Sequence, residues 1–236
     1  MLDAQGSFSL ALRSAELRDI SLNVRQLEYS GIRVSNASLQ AAAQRPGSFF
    51  IEKIDAGKLA VRNARAGVSI AGMDLKLEDL TAEALAGSIH AIARFTLAAG
   101  LPYEASAKAE NLDLAVFVRD FGLQERLDLS GLVTGALEAR GSSAGFKILT
   151  GDLKGIEPGG FLNIRDQSMI DTLAARSGQA RDLVSRSFTD YRYDNARAQL
   201  YSEDNKLVLD VVFLGIQGKR SLKVILHDFN VKGGGR

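Results

Sequence analysis

The stretch "GSIHAIARFTLAAGLPYEASAKAENL" (residues 87–112) decides the fold class, because apolar and polar side chains alternate along both of its halves. Alternation with a period of two places successive side chains on opposite faces of a β-strand. Gly100 and Pro102 separate the halves and are typical turn residues. The stretch therefore predicts a hairpin with one dry face, and the small alanines on that face leave room beside them. The dry-face positions are Ile89, Ala91, Ala93, Phe95 and Leu97, followed by Tyr103, Ala105, Ala107 and Ala109.

The same alternation continues on both sides of this hairpin. Upstream it recurs in residues 8–34 and 59–77, where glycines separate the apolar runs. Downstream it returns in residues 133–139 and 196–226, where "SEDNK" and "QGKRS" mark turns. Short strands at even spacing favour an antiparallel meander over a β-α-β fold. We therefore expect a mainly β protein built on a long antiparallel sheet.

A first short helix is predicted near residues 113–121. Its apolar residues recur at helical spacing, Asp113 or Asn111 can cap its start, and Gly122 stands where a left-handed C-cap is expected. The residues of the apolar stripe are Leu114, Phe117, Val118 and Phe121.

A second helix is predicted near residues 168–187. Ser168 and Asp171 resemble a capping box, and Gly178 can bend the helix. Its apolar residues are Met169, Ile170, Leu173, Ala174, Leu183 and Val184, with Phe188 just beyond.

Composition excludes several classes of function. The chain has 236 residues, and its net charge of +1 comes from 29 basic and 28 acidic residues scattered in mixed sign. With no basic stripe and no Trp, nucleic acid is not an expected partner. Without cysteine there is no disulfide, thiolate metal site or cysteine nucleophile.

No segment has the length of a transmembrane helix. The longest uncharged apolar runs, such as "VVFLGIQG" at residues 211–218, are far below the roughly 20 residues that cross a bilayer. The start "MLDAQGSFSLALRS" lacks the basic and apolar segments of a signal peptide. We expect the chain to be a piece of a longer protein.

"GSSAG" at residues 141–145 fits the G-x-S-x-G pattern of a serine hydrolase, with Ser143 in the place of the nucleophile. That motif needs a buried parallel strand before the serine and a substantial helix after it. Here an alternating strand precedes it and at most about two helical turns could follow, although Asp210 and His227 come later in the required order. We interpret the motif as a Gly-Ser turn and expect no enzymatic activity.

No other constellation predicts a cofactor or metal site. His90 and His227 are the only histidines, and neither has a second histidine nearby. Carboxylates such as Asp113 and Asp166 stand at predicted helix starts, where capping explains them. The glycines of "GIEPGG" at residues 155–160 lack the spacing of a nucleotide-binding loop.

The run "AENLDLAVFVRDFGLQERLDLSGLVTGALEARGSSAGFKILTGDLKGIEPGGFLNIRD" at residues 109–166 resembles the AsmA-like superfamily of bacterial envelope proteins. Its pattern is a short amphipathic helix, then l-x-G-x-v-x-G-x-l-x-a-x-G, then a glycine-bounded segment and a new strand. Residues 188–200, of the form F-x-x-Y-x-Y-x-x-A-x-A-x-L, and "KLVLDVVFLG" at 206–215 resemble more specifically the C-terminal region of the YdbH branch, relatives of TamB and YhdP. Members of this branch also carry the name dicarboxylate transport domain.

The resemblance implies a repeating β-groove, or β-taco: a long curved antiparallel sheet with an apolar concave face and two short helices. It implies a periplasmic segment of a protein anchored in the inner membrane, with the anchor absent from this chain. The implied function is transport of phospholipid, or another acyl-chain lipid, between inner and outer membrane, with envelope proteins as partners at the groove ends. Residues 1–112 are expected to form an N-terminal β-meander, and residues 113–236 the YdbH-like C-terminal region.

The apolar positions on alternating strands are the expected lining of such a groove. The alternative is that the same faces close on each other as a packed β-sandwich, giving an envelope scaffold or interaction module without a lipid path. The expected lining residues are Phe95, Ala105, Ala107, Val133, Leu137, Leu209, Val211, Phe213, Val224 and Leu226.

Overall fold

The computed structural model describes residues 4–8, 19–29, 32–42, 45–56, 58–142, 145–204 and 206–226. Within these ranges the chain forms sixteen strands and three helices. The strands are β1 Ala4–Phe8, β2 Asp19–Tyr29, β3 Ile32–Ala42, β4 Arg45–Ala56, β5 Leu59–Ala71, β6 Asp74–Ala84, β7 Gly87–Thr96, β8 Tyr103–Asp113, β9 Leu127–Leu129, β10 Leu132–Ser142, β11 Gly145–Gly155, β12 Gly160–Ile164, β13 Tyr191–Tyr193, β14 Asn195–Glu203, β15 Lys206–Gly215 and β16 Gly218–Leu226. The helices are α1 Leu114–Asp120, α2 Gln167–Ser177 and α3 Arg181–Ser187.

One large sheet dominates the fold. Among the described residues it has 13 antiparallel strands in the order β1-β2-β3-β4-β5-β6-β7-β8-β10-β11-β14-β15-β16. Within these residues β1 pairs only with β2 and β16 only with β15, so the sheet is open. The predicted antiparallel meander is confirmed. The division at residues 112 and 113 stays a prediction, and β8 pairs directly with β10 across it.

One face of this sheet, here called the inner face, is apolar from strand to strand. Directly paired residues of antiparallel strands point to the same face, so the register identifies it. One row of residues runs across the sheet on this face. Its neighbouring residues pair in direct register, except Ala64 and Ala82, which meet at a bulge. The row is Ala37, Ile51, Ala64, Ala82, Ile89, Ala109, Gly135, Leu153, Ala198, Val211 and Leu222.

The opposite, outer face is polar. Its rows of paired residues contain many charged side chains, and most of these are exposed. One such row is Lys76, Arg94, Glu104, Arg140 and Lys147. The outer face is therefore the solvated face of the sheet, and the inner face is the apolar one.

The sheet curves around its inner face. Val68 is 2% exposed and Leu77 is 6% exposed, although both belong to strands in the single-layered part of the sheet. In the described residues, the clusters that bury them contain only other side chains of strands β3 to β8 and the turn after β7. A flat single layer would leave such side chains open to water, so the burial reflects curvature. The curved sheet expected from the sequence is confirmed.

Four Asn or Asp residues inside strands have a left-handed backbone, and three of them lie at bulges. Asn36, Asn63, Asp79 and Asn111 have φ values between 48° and 56°, a left-handed conformation that these side chains tolerate better than most. The strand register shifts next to Asn63, Asp79 and Asn111. An extra residue in one strand bends it and increases the twist. These bulges therefore curve the sheet in mid-strand.

A second unit covers the inner face at the C-terminal end of the sheet. We call it the cap: the three-stranded sheet of β9, β12 and β13 together with α2 and α3. Its side chains form one cluster with Ala196 and Phe213 of the large sheet. The buried cap residues of that cluster are Leu162, Ile164, Ile170, Ala174, Val184, Phe188, Tyr191 and Tyr193.

Helix α1 is confirmed at its predicted place. Asp113 is the N-cap, and its carboxylate accepts hydrogen bonds from the Ala115 and Val116 amides at 2.8 and 3.4 Å. Gly122, just past the last turn, has a φ of 63°. Asp113, the first of the two cap candidates, therefore starts this helix.

The predicted second helix is two helices. Gly178 ends α2 in a left-handed conformation with a φ of 65°, so α3 starts afresh at Arg181. The predicted capping box is wrong. Asp166 is the N-cap of α2, and its carboxylate accepts from the Ser168 amide and hydroxyl at 2.8 and 2.6 Å. The carboxylate of the predicted box, that of Asp171, binds Arg181 instead.

Candidate functional site

The inner face of β7, β8, β10 and β11, here called the open face, is lined by small residues. Paired rows run from Ala93 through Ala105 to Ala139, and from Ala91 through Ala107 to Leu137. Ala105, Ala107, Leu137 and Ala139 are half-buried. Ala93, Val133 and Ile148 of the same strands are more deeply buried, at 4% to 8% exposed, so only part of the open face keeps accessible apolar surface.

An aromatic pair borders this face near the turn between β7 and β8. The rings of Phe95 and Tyr103 have centroids 5.7 Å apart. Tyr103 lies over Gly141, where an added Cβ would be 2.5 Å from the Tyr103 hydroxyl. Burial raises the pKa of Tyr103 above its usual 10.0, so the phenol is neutral at physiological pH. The border therefore adds no charge to the open face.

The neighbouring section of the inner face, on β5 and β6, is bulkier. Val68, Ile70, Leu75 and Leu77 fill it and are all at most 9% exposed. Here the side chains of the curved sheet pack on one another rather than leaving space. Ala93 of β7 belongs to the same buried cluster and Ala105 packs against it, so the packed section extends onto the edge of the open face.

The sequence-predicted lining residues fall into three groups. Phe95, Ala105, Ala107, Val133 and Leu137 lie on the open face or at its border, with Leu209 half-buried on β15. Val211 and Phe213 lie under the cap, in contact with its core cluster. Val224 and Leu226 pair in register with Leu209 and Leu207, and only their backbone is described. Contact of each residue with lipid stays a prediction.

The Tyr-x-Tyr segment of the sequence pattern anchors the cap. Tyr191 and Tyr193 are 0% and 2% exposed. Their hydroxyl groups donate hydrogen bonds of 2.5 Å to the carbonyl oxygens of Gly218 and Ser130, respectively. The Tyr193 ring also packs on Phe213 of the large sheet, with centroids 4.9 Å apart. The two tyrosines therefore join the cap to the sheet at two separate points.

Two glycines allow the backbone to approach Tyr193 closely. An added Cβ at Gly131 would lie 2.5 Å from the Tyr193 hydroxyl, and one at Gly159 would lie 1.9 Å from its carbonyl oxygen. Both have positive φ values, 120° and 87°. No other residue type fits here without movement of the backbone.

Charged pairs at the surface hold the start of α2. Arg126 and Asp166 form an ion pair at 2.5 Å, and Arg165 binds Asp128. The Ser168 hydroxyl and the Arg126 guanidinium lower the pKa of Asp166 from 3.8 to about 2. The N-cap of α2 therefore stays ionised over the physiological pH range.

The candidate reactive and metal-binding residues of the sequence can be placed as follows. Within the described ranges, no cluster of His, Cys, Asp or Glu has the geometry of a metal site. His90 pairs with Lys108 on the polar face, while Ser143 and His227 lie outside the described residues. None of the helices in the described ranges is both long and apolar enough to cross a bilayer.

Sequence reasoning missed the bulge residues and the Ser130–Gly131 anchor point. An Asn or Asp inside an alternating strand is a usable signal, because these residues are rare in strands but tolerate a left-handed backbone. No comparable local signal exists for Ser130. Its role depends on Tyr193, which is 63 positions away.

An open, curved antiparallel sheet with a continuous apolar inner face and a polar outer face defines a β-groove protein of the AsmA-like class. The chain belongs to the YdbH-like family, described as "Intermembrane phospholipid transport protein YdbH", whose model matches residues 2–220. No curated protein and no solved structure matches the chain. The family expected from the sequence is thereby confirmed, and it is a family of lipid transport proteins.

Proposed function

We propose that this chain is a periplasmic segment of a groove that carries phospholipid between inner and outer membrane. The observation that carries the proposal is the apolar inner face, which continues across an open sheet. The family's intermembrane phospholipid transport role supports it. The acyl chains would lie against the open face, and the headgroups would stay in water at the rim.

Burial of acyl chains suffices as the driving force for holding a lipid. Each methylene group removed from water contributes about 0.8 kcal/mol. Half-buried alanines such as Ala105 and Ala107 provide apolar surface and clearance at once. Because the described inner face carries no buried charged side chain, no desolvated charge opposes movement of a tail. Passive sliding needs no catalytic residue, and we propose a function without enzymatic activity.

The cap marks one end of this path. Phe213 and Val211 belong to its packed cluster, so we assign them to cap packing rather than to lipid contact. The path we propose runs over β7, β8, β10 and β11 and stops or turns outward before β14. Envelope proteins at the groove ends and an inner-membrane anchor in a longer protein complete the proposal.

A scaffold with a closed core is the second candidate. The tightly buried section around Val68, Leu75 and Leu77 favours it, since that part of the inner face has the burial of an ordinary core. The two candidates differ in the open face. A scaffold would keep that face free of ligand, whereas a transport groove would occupy it with acyl chains.

Site-specific photo-crosslinking tests the proposal. A photoreactive amino acid replaces Ala107 on the open face or, as matched control, Lys108 on the outer face of the same strand. Lipid attached to the protein in cells is then detected by mass spectrometry. We expect adducts at position 107 and none at 108. Equal labelling at both positions, or none at 107 in a folded protein, would contradict a groove on this face.

A further inference from the structure

The turn between β15 and β16 exposes an isoleucine at its apex. Ile216 is 95% exposed. Gly215 pairs with Gly218, so Ile216 and Gln217 form a two-residue connection. Such connections favour Asn, Asp and Gly, and here Gly218, with a φ of 93°, supplies the unusual backbone conformation. The Ile216 side chain is therefore not needed for the turn.

The surroundings of Ile216 are apolar and positively charged. Leu214 is 44% exposed on the outer face and pairs with Lys219. Arg197 lies on the same face of β14, and neither it nor Lys219 has an ion-pair partner in the described part of the chain. From Val211 to Lys223 the sequence has no acidic residue, although Asp194 adds one negative charge beside Leu214.

We infer that this hairpin tip, Leu214–Lys219, is a membrane-contact site that inserts Ile216 into the surface of a bilayer with anionic headgroups. Burial of Ile216 and Leu214 among the upper acyl carbons supplies the apolar part of the binding. Lys219 and Arg197 supply electrostatic attraction to the headgroups. The contact does not depend on lipid being held in the groove.

The shape of the tip favours a bilayer over a protein partner. Stable protein interfaces bury about 800 Å² on each partner. A two-residue turn with two large apolar side chains is convex and much smaller than that. A bilayer surface, by contrast, accepts a small apolar wedge with cations behind it. Binding of this kind is weak and reversible.

The absence of tryptophan from the sequence makes a direct test possible. Ile216→Trp places a single fluorescent reporter at the tip, and Ile92→Trp places one at a 60% exposed site on the outer face of β7 as control. Each protein is mixed with vesicles of phosphatidylethanolamine and phosphatidylglycerol. We expect a blue shift, and quenching by brominated acyl chains, for position 216 only.

Substitutions at Ile216 and Lys219 separate the apolar contribution to membrane binding from the electrostatic one. With fluorescently labelled protein, we expect Ile216→Asp to lower the partition constant about tenfold or more. Lys219→Gln should lower it about fivefold at low salt and much less at high salt. Unchanged emission of Ile216→Trp with vesicles would overturn the inference, as would an equal shift of Ile92→Trp. A shift that depends on protein concentration without vesicles would indicate a second copy as the occupant instead.

Discussion

The Tyr193 hydroxyl donates a hydrogen bond to the Ser130 carbonyl oxygen, 2.5 Å away. Tyr193 belongs to β13 of the cap, whereas Ser130 lies in the link between β9 of the cap and β10 of the large sheet. The bond thus joins the last strand of the cap to the point where the chain returns to the sheet. Because Gly131 and Gly159 pack closely around Tyr193, few other side chains would fit this position.

Removal of this hydroxyl tests the anchor. Tyr193→Phe should lower the free energy of unfolding by about 1 kcal/mol, because the Ser130 carbonyl loses its buried partner. Tyr201→Phe is the matched control, since the Tyr201 hydroxyl binds Asp210 at 3.0 Å nearer the surface. We expect the control to change stability by less than about 0.5 kcal/mol. Urea denaturation measures both, and equal losses would show that the anchor has no special role.

Alkaline pH should weaken the same anchor. Burial raises the pKa of Tyr193 from 10.0 to about 12, so the fold favours the protonated phenol. Stability from this group is complete below pH 10 and is lost as the pH rises through about 12. Over that interval the wild type should lose about 1 to 2 kcal/mol more than Tyr193→Phe. Parallel unfolding curves for the two proteins would contradict this expectation.

Truncation of two phenylalanines distinguishes the packed cap from the open face. Phe213 is 4% exposed and packs on Tyr193, so Phe213→Ala should cost about 3 to 5 kcal/mol. Phe95 is only half-buried at the border of the open face, and Phe95→Ala should cost clearly less. Thermal unfolding of both variants provides the comparison. Equal losses would mean that Phe95 belongs to an ordinary closed core.

A charge on the open face should affect lipid more than folding. Ala107→Asp places a carboxylate where acyl chains are proposed to lie, and Lys108→Asp places one on the outer face of the same strand. We expect co-purifying phospholipid to fall at least severalfold for the first variant and to stay unchanged for the second. The melting temperature should stay close to the wild-type value in both.

Val211→Asp serves as the contrast to these variants. Val211 packs against the core cluster under the cap, so a charge there should unfold the protein and remove lipid together. If Ala107→Asp also unfolds the protein, the open face is ordinary core and the groove proposal fails. Lipid quantification by mass spectrometry beside thermal unfolding separates the two outcomes.

The bulge at Asp79 should tolerate glycine but not a β-branched residue. Its φ of 50° lies in the left-handed region, which is open to glycine and unfavourable for valine. Asp79→Val should therefore cost about 1 to 3 kcal/mol, while Asp79→Gly should be close to neutral. Chemical denaturation measures the difference. Equal stability of the two variants would show that backbone strain at this bulge is not significant.

The sequence by itself determined the antiparallel meander and its apolar face, although β4 and β9 were not among the predicted strands. In "GSIHAIARFTLAAGLPYEASAKAENL" the alternation of apolar and polar residues requires nothing beyond the geometry of an extended chain. Helix α1 was equally local, because Asp113 caps it within its own first turn. The residue patterns that carry the family resemblance are also local in the chain, and the family match confirms them.

Only the tertiary structure decided what covers each part of that face. Alternation puts Ala107 and Val211 on the same side of the sheet, yet the cap covers Val211 and leaves Ala107 on the open face. Asp166 and Ser168 are both able to cap a helix N-terminus. The N-cap of α2 is Asp166, because its carboxylate also binds Arg126 of a distant segment. Packing and long-range pairing depend on residues far apart in the chain, and a local pattern does not contain that information.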